Sequence, residues 1–406
     1  MEKNYFLKLA VSINLLNLFF FKYFYFFLSI ISDLTGFGIL AEKNSIDLFL
    51  GELIKVKDFE IALPLGISYY TFQFISIAVD KKQGKIEEEI NLLDFSTYIL
   101  FFPVIPSGPI LRFNELKSQF EKTRITENDL VDGVWLILRG LFKKAVLSES
   151  VLSIVAPVFG EPEKFSGAAI ILTTYFFGIY LFLEFSGFTD LARGFGRLLG
   201  YELPENFKSP LLMKGFGDFW RRWHLTFASW IRDYIYIPLG GSKVPEWRNY
   251  FNFILTFTLG GLWHGATLNY ILWGFINGSY ISIEKFLEIR KIRLIPNIPF
   301  RGLIHYLFVL NLFIITWILF FTKDIRTSVM MLGKIFTFSK GAELAYAETG
   351  VYATFFAALF HLQQEYPERF EFIQPYKKFI IPFFALLILL VLINNSGNMD
   401  AFYGRY

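Results

Sequence analysis

The stretch DFWRRWHLTFASWIRDYIYIPLGG, residues 218–241, decides how the rest of the chain is read. Trp220, Trp223, Phe227 and Trp230 recur at helical spacing, and Trp220 and His224, four apart, are expected on one face. Asp218 is a candidate N-cap, and Pro238 with Gly240 and Gly241 marks the exit. Arg221, Arg222, Arg232 and Asp233 make the remainder strongly polar. Two readings fit. One is an interfacial amphipathic helix, with tryptophans at headgroup level and arginines on lipid phosphates. The other is a wall that carries His224 and several arginines into a protein cavity.

Further on, Leu259-Gly260-Gly261-Leu262-Trp263-His264-Gly265-Ala266 ends an apolar run. Three glycines clear space around His264, so a ligand or another backbone can approach. An ionisable residue at membrane depth is a functional-site hypothesis, although a lone histidine there can also bond across helices.

Membrane depth follows from composition. The 406 residues are 54% hydrophobic, 20% aromatic and 18% charged, with 51 Phe and a mean hydropathy of +0.44. Soluble domains carry roughly 25% charged residues. Residues 168–183, 303–321 and 379–393 hold no acidic or basic side chain apart from His305. Spans need about 20 mostly apolar residues. Embedded segments are expected near 5–31, 61–79, 93–111, 130–157, 167–186, 250–263, 269–284, 303–321, 350–362 and 379–394, in one all-α membrane domain over 1–406. The first reads as a retained span, too long for a signal-peptide h-region. Lys22 within it reads as snorkelling to the interface. Lys285, Arg290, Lys291, Arg293 and Arg301 crowd one link, which the positive-inside tendency puts in the cytoplasm together with 232–250.

Phe101 to Ile110 holds three prolines and a glycine inside an apolar run, so it cannot stay a regular helix. It reads as re-entrant, as a cavity wall, or as a loop dipping into the headgroups. Of the other histidines, His305 is expected in a helix–helix hydrogen bond and His361 at the interface. There is no cysteine, no HExxH, no Gly-x-Ser-x-Gly and no P-loop, which argues against a disulfide framework, thiolate chemistry, a metal site and P-loop nucleotide binding. The net charge of +3 sits in loops flanking the spans and does not suggest nucleic acid.

Taken together, residues 218–241 and 261–266 resemble the core of the membrane-bound O-acyltransferases. The bacterial polysaccharide- and peptidoglycan-acetylating subgroup, alginate O-acetyltransferase membrane subunits among them, is the nearest match. Pro64 to Gln73, Phe101 to Phe113, Phe182 to Arg193 and Leu203-Pro204-Glu205-Asn206-Phe207 also match, and the similarity runs from about residue 10 to 325. Members of the subgroup begin with further apolar residues upstream, which leaves the span count and terminal topology open.

The resemblance implies a helical membrane body with re-entrant segments around a central tunnel, in a bacterial inner membrane. An acyl thioester, acetyl-CoA, arrives from the cytoplasm as a substrate, with no permanently bound cofactor. A polysaccharide hydroxyl accepts outside, through an extracytoplasmic SGNH-type transferase partner. The family's near-invariant histidine matches His264, and its second motif residue matches His224. A histidine at such a centre suits proton transfer from a hydroxyl. Arg221, Arg222 and Arg232 are candidates for the donor's phosphates. Three alternatives stay open: D-alanyl transfer to teichoic acid, a transporter, and a non-catalytic scaffold. Tyr236 to Gly241 favours the acetylating subgroup over the D-alanyl proteins.

Overall fold

The computed structural model describes residues 2–38, 61–105, 107–120, 124–322 and 324–395, with isolated positions 43, 46, 47, 52 and 53. Among these the chain is helical, without strands; two single bridges join Phe165 to Ala342 and Phe207 to Trp223. The helices are α1 Glu2–Leu18, α2 Phe24–Thr35, α3 Ile67–Lys82, α4 Leu92–Ile99, α5 Phe113–Phe120, α6 Glu127–Leu141, α7 Glu149–Gly160 and α8 Gly167–Leu198. They continue as α9 Phe216–Trp220, α10 Leu225–Ile231, α11 Glu246–His264, α12 Leu268–Ile289, α13 Arg301–Phe321, α14 Ile325–Phe336, α15 Ala347–Glu365 and α16 Lys377–Asn395. Wide π turns at Phe19–Tyr23 and Phe142–Ser148 join α1 to α2 and α6 to α7, and a third at Arg232–Tyr236 follows α10.

Among the described residues, four stretches are by themselves long and apolar enough to cross a bilayer: Leu7–Thr35, Gly167–Leu198, Arg301–Phe321 and Pro367–Ile393. Most of the other expected segments form helices below that standard. The exception is 93–111. Only α4 is helical in the α sense; a short 3-10 turn at Phe102–Val104 and an extended arm follow. Phe101, Pro103, Val104 and Gly108 to Leu111 are buried, so protein covers the irregular backbone, as a membrane interior requires. Pro106 lies outside the described residues.

The central post is α8. Its 32 residues span about 48 Å at 1.5 Å per residue, more than a bilayer core. Ser166 caps its start by accepting from the Ala169 amide at 3.0 Å. Its two carboxylates are paired with neighbouring helices. Asp190 binds Arg139 at 2.6 Å and Lys143 at 2.8 Å, while Glu184 binds Lys144 at 2.5 Å and the Ser148 hydroxyl at 2.7 Å. Lys143 is 1% exposed, a burial tolerable only because a carboxylate meets it.

Beside this post stands the hairpin of α11 and α12. The two axes meet at small residues: a Cβ on Gly261 would lie 2.1 Å from the Tyr270 carbonyl oxygen, and one on Gly274 2.2 Å from that of Phe257. At the foot of α11 the Tyr250 hydroxyl and then the Arg290 guanidinium hold the Glu246 carboxyl below its usual range. That contact puts the start of α11 and the basic link after α12 at the same end of the molecule.

Two histidines differ from expectation. His361 is buried, not interfacial: its Nδ1 bonds the Ala357 carbonyl at 2.7 Å, and its Nε2 accepts from the Leu211 amide at 3.2 Å. The segment 209–211 closes over it and removes the interface. His305 is half-buried on α13 and makes no helix–helix hydrogen bond among the described residues.

Candidate active site

Residues 218–241 are not one helix. The chain forms α9, turns through 221–224, resumes as α10 and widens into the π turn at Arg232–Tyr236. The cause is a distant segment. The Leu225 amide donates to the Asn206 carbonyl at 3.0 Å, and the Lys208 amide donates to the Arg222 carbonyl at 2.9 Å. The Asn206 side chain accepts from the Thr226 amide at 3.2 Å and hydroxyl at 2.7 Å. These bonds replace the helical ladder and leave His224 in a left-handed conformation, φ 46° and ψ 55°. For a residue with a Cβ this costs about 1–2 kcal/mol. Trp220 and His224 therefore do not share a face. Trp220 packs on Phe257 and Trp273, whereas His224 packs on Phe185 and Phe227.

Asp218 does not cap the helix either. Gly215 holds the N-cap position, and the Glu284 carboxylate receives the amides of Phe216 and Gly217 at 3.0 and 2.7 Å. Asp218 instead accepts from the Lys214 amide at 2.9 Å. The exit falls where expected, with Gly240 and Gly241 at φ 102° and 54°.

His224 is 2% exposed and stacks on Phe227, ring centroids 5.0 Å apart and planes 19° apart. Its Nε2 is buried without a partner. His264 is the last residue of α11 and lies 5.8 Å from the same Phe227 ring, so one aromatic side chain links the two imidazoles. Trp263, Phe320, Trp273 and Tyr270 also surround it at 4.9, 5.0, 5.5 and 6.2 Å. The His264 ring makes no hydrogen bond among the described residues and is only half-buried. Gly261 admits the backbone of α12 and Gly265 the Tyr270 ring, so two of the glycines around His264 serve close packing.

A cavity of about 1000 Å³ reaches Leu225, the residue after His224, but neither imidazole nor the Phe227 ring lines it. Lys214, Arg221, Arg232 and Lys285 line it together with Asp218, Glu284 and Glu288. Trp220, Leu225, Thr256 and Phe257 also line it, and the Trp220 Nε1 and Thr256 Oγ1 are buried without partners. Arg222 is not in the lining: it is held by Asp218 and Glu365, each at 2.9 Å.

Residues 85–331 match the membrane-bound O-acyltransferase family. The chain belongs to that family. Among its relatives, a probable alginate O-acetylase of Pseudomonas aeruginosa is 34% identical over 278 residues, 68% of this chain and 52% of that protein. One of Azotobacter vinelandii is 33% identical over 336 residues, 82% of this chain and 63% of that protein. A peptidoglycan O-acetyltransferase of Helicobacter pylori is 28% identical over 353 residues, 80% and 63% of the respective chains. The matches thus span between about half and two thirds of these relatives.

For this O-acyltransferase-family chain, sequence reasoning missed two kinds of residue. Asn206, fully buried, shapes the His224 turn, yet it stood out only as part of a matching segment. Lys22 does not snorkel outward. It donates to the Trp263 carbonyl and, at 3.0 Å, to the Ser68 hydroxyl. The π turn at Phe19–Tyr23 aims it inward, and the periodicity of the sequence does not display that turn.

Proposed function

We propose that this chain is an O-acyltransferase that takes an acetyl group from a cytoplasmic thioester, acetyl-CoA, and passes it toward hydroxyls of an extracytoplasmic polysaccharide. The observation that carries the reading is the Phe227 ring shared by two imidazoles, together with a large cavity lined by arginine and lysine that reaches Leu225, next in sequence to His224. Arg221 and Arg232 take the donor's phosphates, and Trp220 Nε1 and Thr256 Oγ1 donate to its chain. His264 accepts the proton of the attacking hydroxyl; the C–O bond forms, the C–S bond breaks, and the proton passes to the departing thiolate. His224 orients or polarises the carbonyl through Nε2.

Orientation follows from charge. Lys285 borders the cavity and begins the basic stretch to Arg301, so the mouth faces the cytoplasm of a bacterial inner membrane. The helix that starts at that end carries His264 roughly 27 Å along its axis, most of a bilayer core. The acetyl group therefore leaves on the outer side, where a secreted SGNH-type transferase completes the transfer to glycan. The names of the acetylating relatives support acetyl as the group and a surface glycan as the acceptor.

Reconstitution tests this. Proteoliposomes holding the full chain should release thiol from acetyl-CoA slowly, and acetylated polymer should appear only with the partner. Turnover of a D-alanyl carrier-protein thioester in place of acetyl-CoA would move the reading to D-alanyl transfer. Solute flux with no thioester consumed would make the chain a transporter.

A further inference from the structure

The last four carbonyls of a helix have no partner within it. Helix α11 stops at His264 because Gly265 is fully extended, φ −176° and ψ 159°. Two of its terminal carbonyls are met by adjacent residues on the π turn of the first span. The Tyr23 hydroxyl donates to the Leu262 carbonyl at 2.9 Å, and the Lys22 ammonium donates to the Trp263 carbonyl. The same ammonium reaches the Ser68 hydroxyl at 3.0 Å, in the first turn of α3, and lies 5.5 Å from the centre of a Trp263 ring. Helix α3 then lays Tyr69 and Phe72 on Trp263 at 5.8 and 5.2 Å.

We infer that Lys22, supported by Tyr23, is a positioning residue for His264: it fixes the helix end from which the imidazole projects. The inference rests on the role given to His264 above. An ammonium at membrane depth is costly and is retained where it does something. Here its partners are a carbonyl and a hydroxyl, and among the described residues no carboxylate pairs with it. A cation against terminal carbonyls is also favoured by the helix dipole. The π turn supplies the geometry. It inserts one residue into the first span and brings Lys22 and Tyr23, neighbours in sequence, onto neighbouring carbonyls of one helix end.

The test uses the full chain in proteoliposomes, reading thiol release from acetyl-CoA, with His264→Gln as the reference. Lys22→Met should lower kcat roughly 10²-fold, the scale of a small misplacement of a reacting group. KM for acetyl-CoA should stay within about twofold, because the cavity mouth is untouched. Lys22→Arg, which keeps charge and reach, should recover most of the rate, and Tyr23→Phe should fall between. A Lys22→Met chain turning over at the wild-type rate overturns the inference. So does a loss that tracks unfolding and is not recovered by Lys22→Arg. With His264→Gln inactive, these results sink the positioning role alone. A wild-type rate in His264→Gln sinks the reading beneath it.

Discussion

Residues 246–289 form an unbroken helical hairpin, whereas residues 216–236 reach the same site in three short pieces. The hairpin is determined by its own sequence: small residues at 261, 274 and 278 fall where the two axes cross, and the Thr267 hydroxyl caps the second helix. The broken region is shaped from outside, by the backbone and amide of Asn206 and by the Glu284 carboxylate. One part carries His264 at a clean helix end; the other carries His224 on a strained left-handed backbone. Strain of that kind persists only where the surroundings over-determine it, and such positions concentrate at functional sites.

The largest test asks whether the two regions serve one centre. His264→Gln should cut thiol release by about 10²–10⁴-fold, the usual contribution of a general base. Adding His224→Gln to it should cost little more, since groups acting as a unit are not additive. Fully multiplicative losses would separate the two regions and break the comparison.

Next in size is the hairpin itself. Gly274→Leu places a side chain against the Phe257 carbonyl and should destabilise the protein by about 3 kcal/mol or more, read as lost folded yield and a lower Tm in detergent. A Gly274→Leu chain of normal stability would mean that the two helices are not held at this spacing.

The third test compares backbones. His224→Gly and His224→Ala remove the same imidazole, but only alanine pays for the left-handed conformation. The glycine variant should be the more stable by about 1–2 kcal/mol. At Thr258, inside α11, the order should reverse, with glycine worse than alanine by roughly 1 kcal/mol. Thermal unfolding of the four variants checks both signs.

The smallest effect belongs to the mouth of the broken region. Arg221→Ala with Arg232→Ala should raise KM for acetyl-CoA about fivefold, more at low salt, with kcat unchanged. Arg222→Ala should instead lower stability and leave KM alone, because Arg222 is spent on Asp218 and Glu365. A KM effect at Arg222 larger than at Arg221 would place the donor elsewhere.

Much of this was legible in residue order. Long apolar runs with few charges dictate helices in a bilayer, since an isolated segment there must satisfy its own backbone. Three prolines within ten residues dictate a break at 101–110, and Gly240-Gly241 dictates the exit from the broken region. The glycines flanking His264 marked a close approach, though not what approaches. Tertiary structure decided the rest. The periodicity of 216–236 is that of one helix, and only hydrogen bonds to Asn206 and from the Lys208 amide turn it at His224. Lys22 looks like any lysine in an apolar span until the end of α11, 241 residues away, offers it a carbonyl. The physical reason is the same in both places. Period, hydropathy and glycine spacing act within a few turns of a helix, whereas an unpartnered amide, carbonyl or ammonium takes whatever partner the fold brings, however far along the chain.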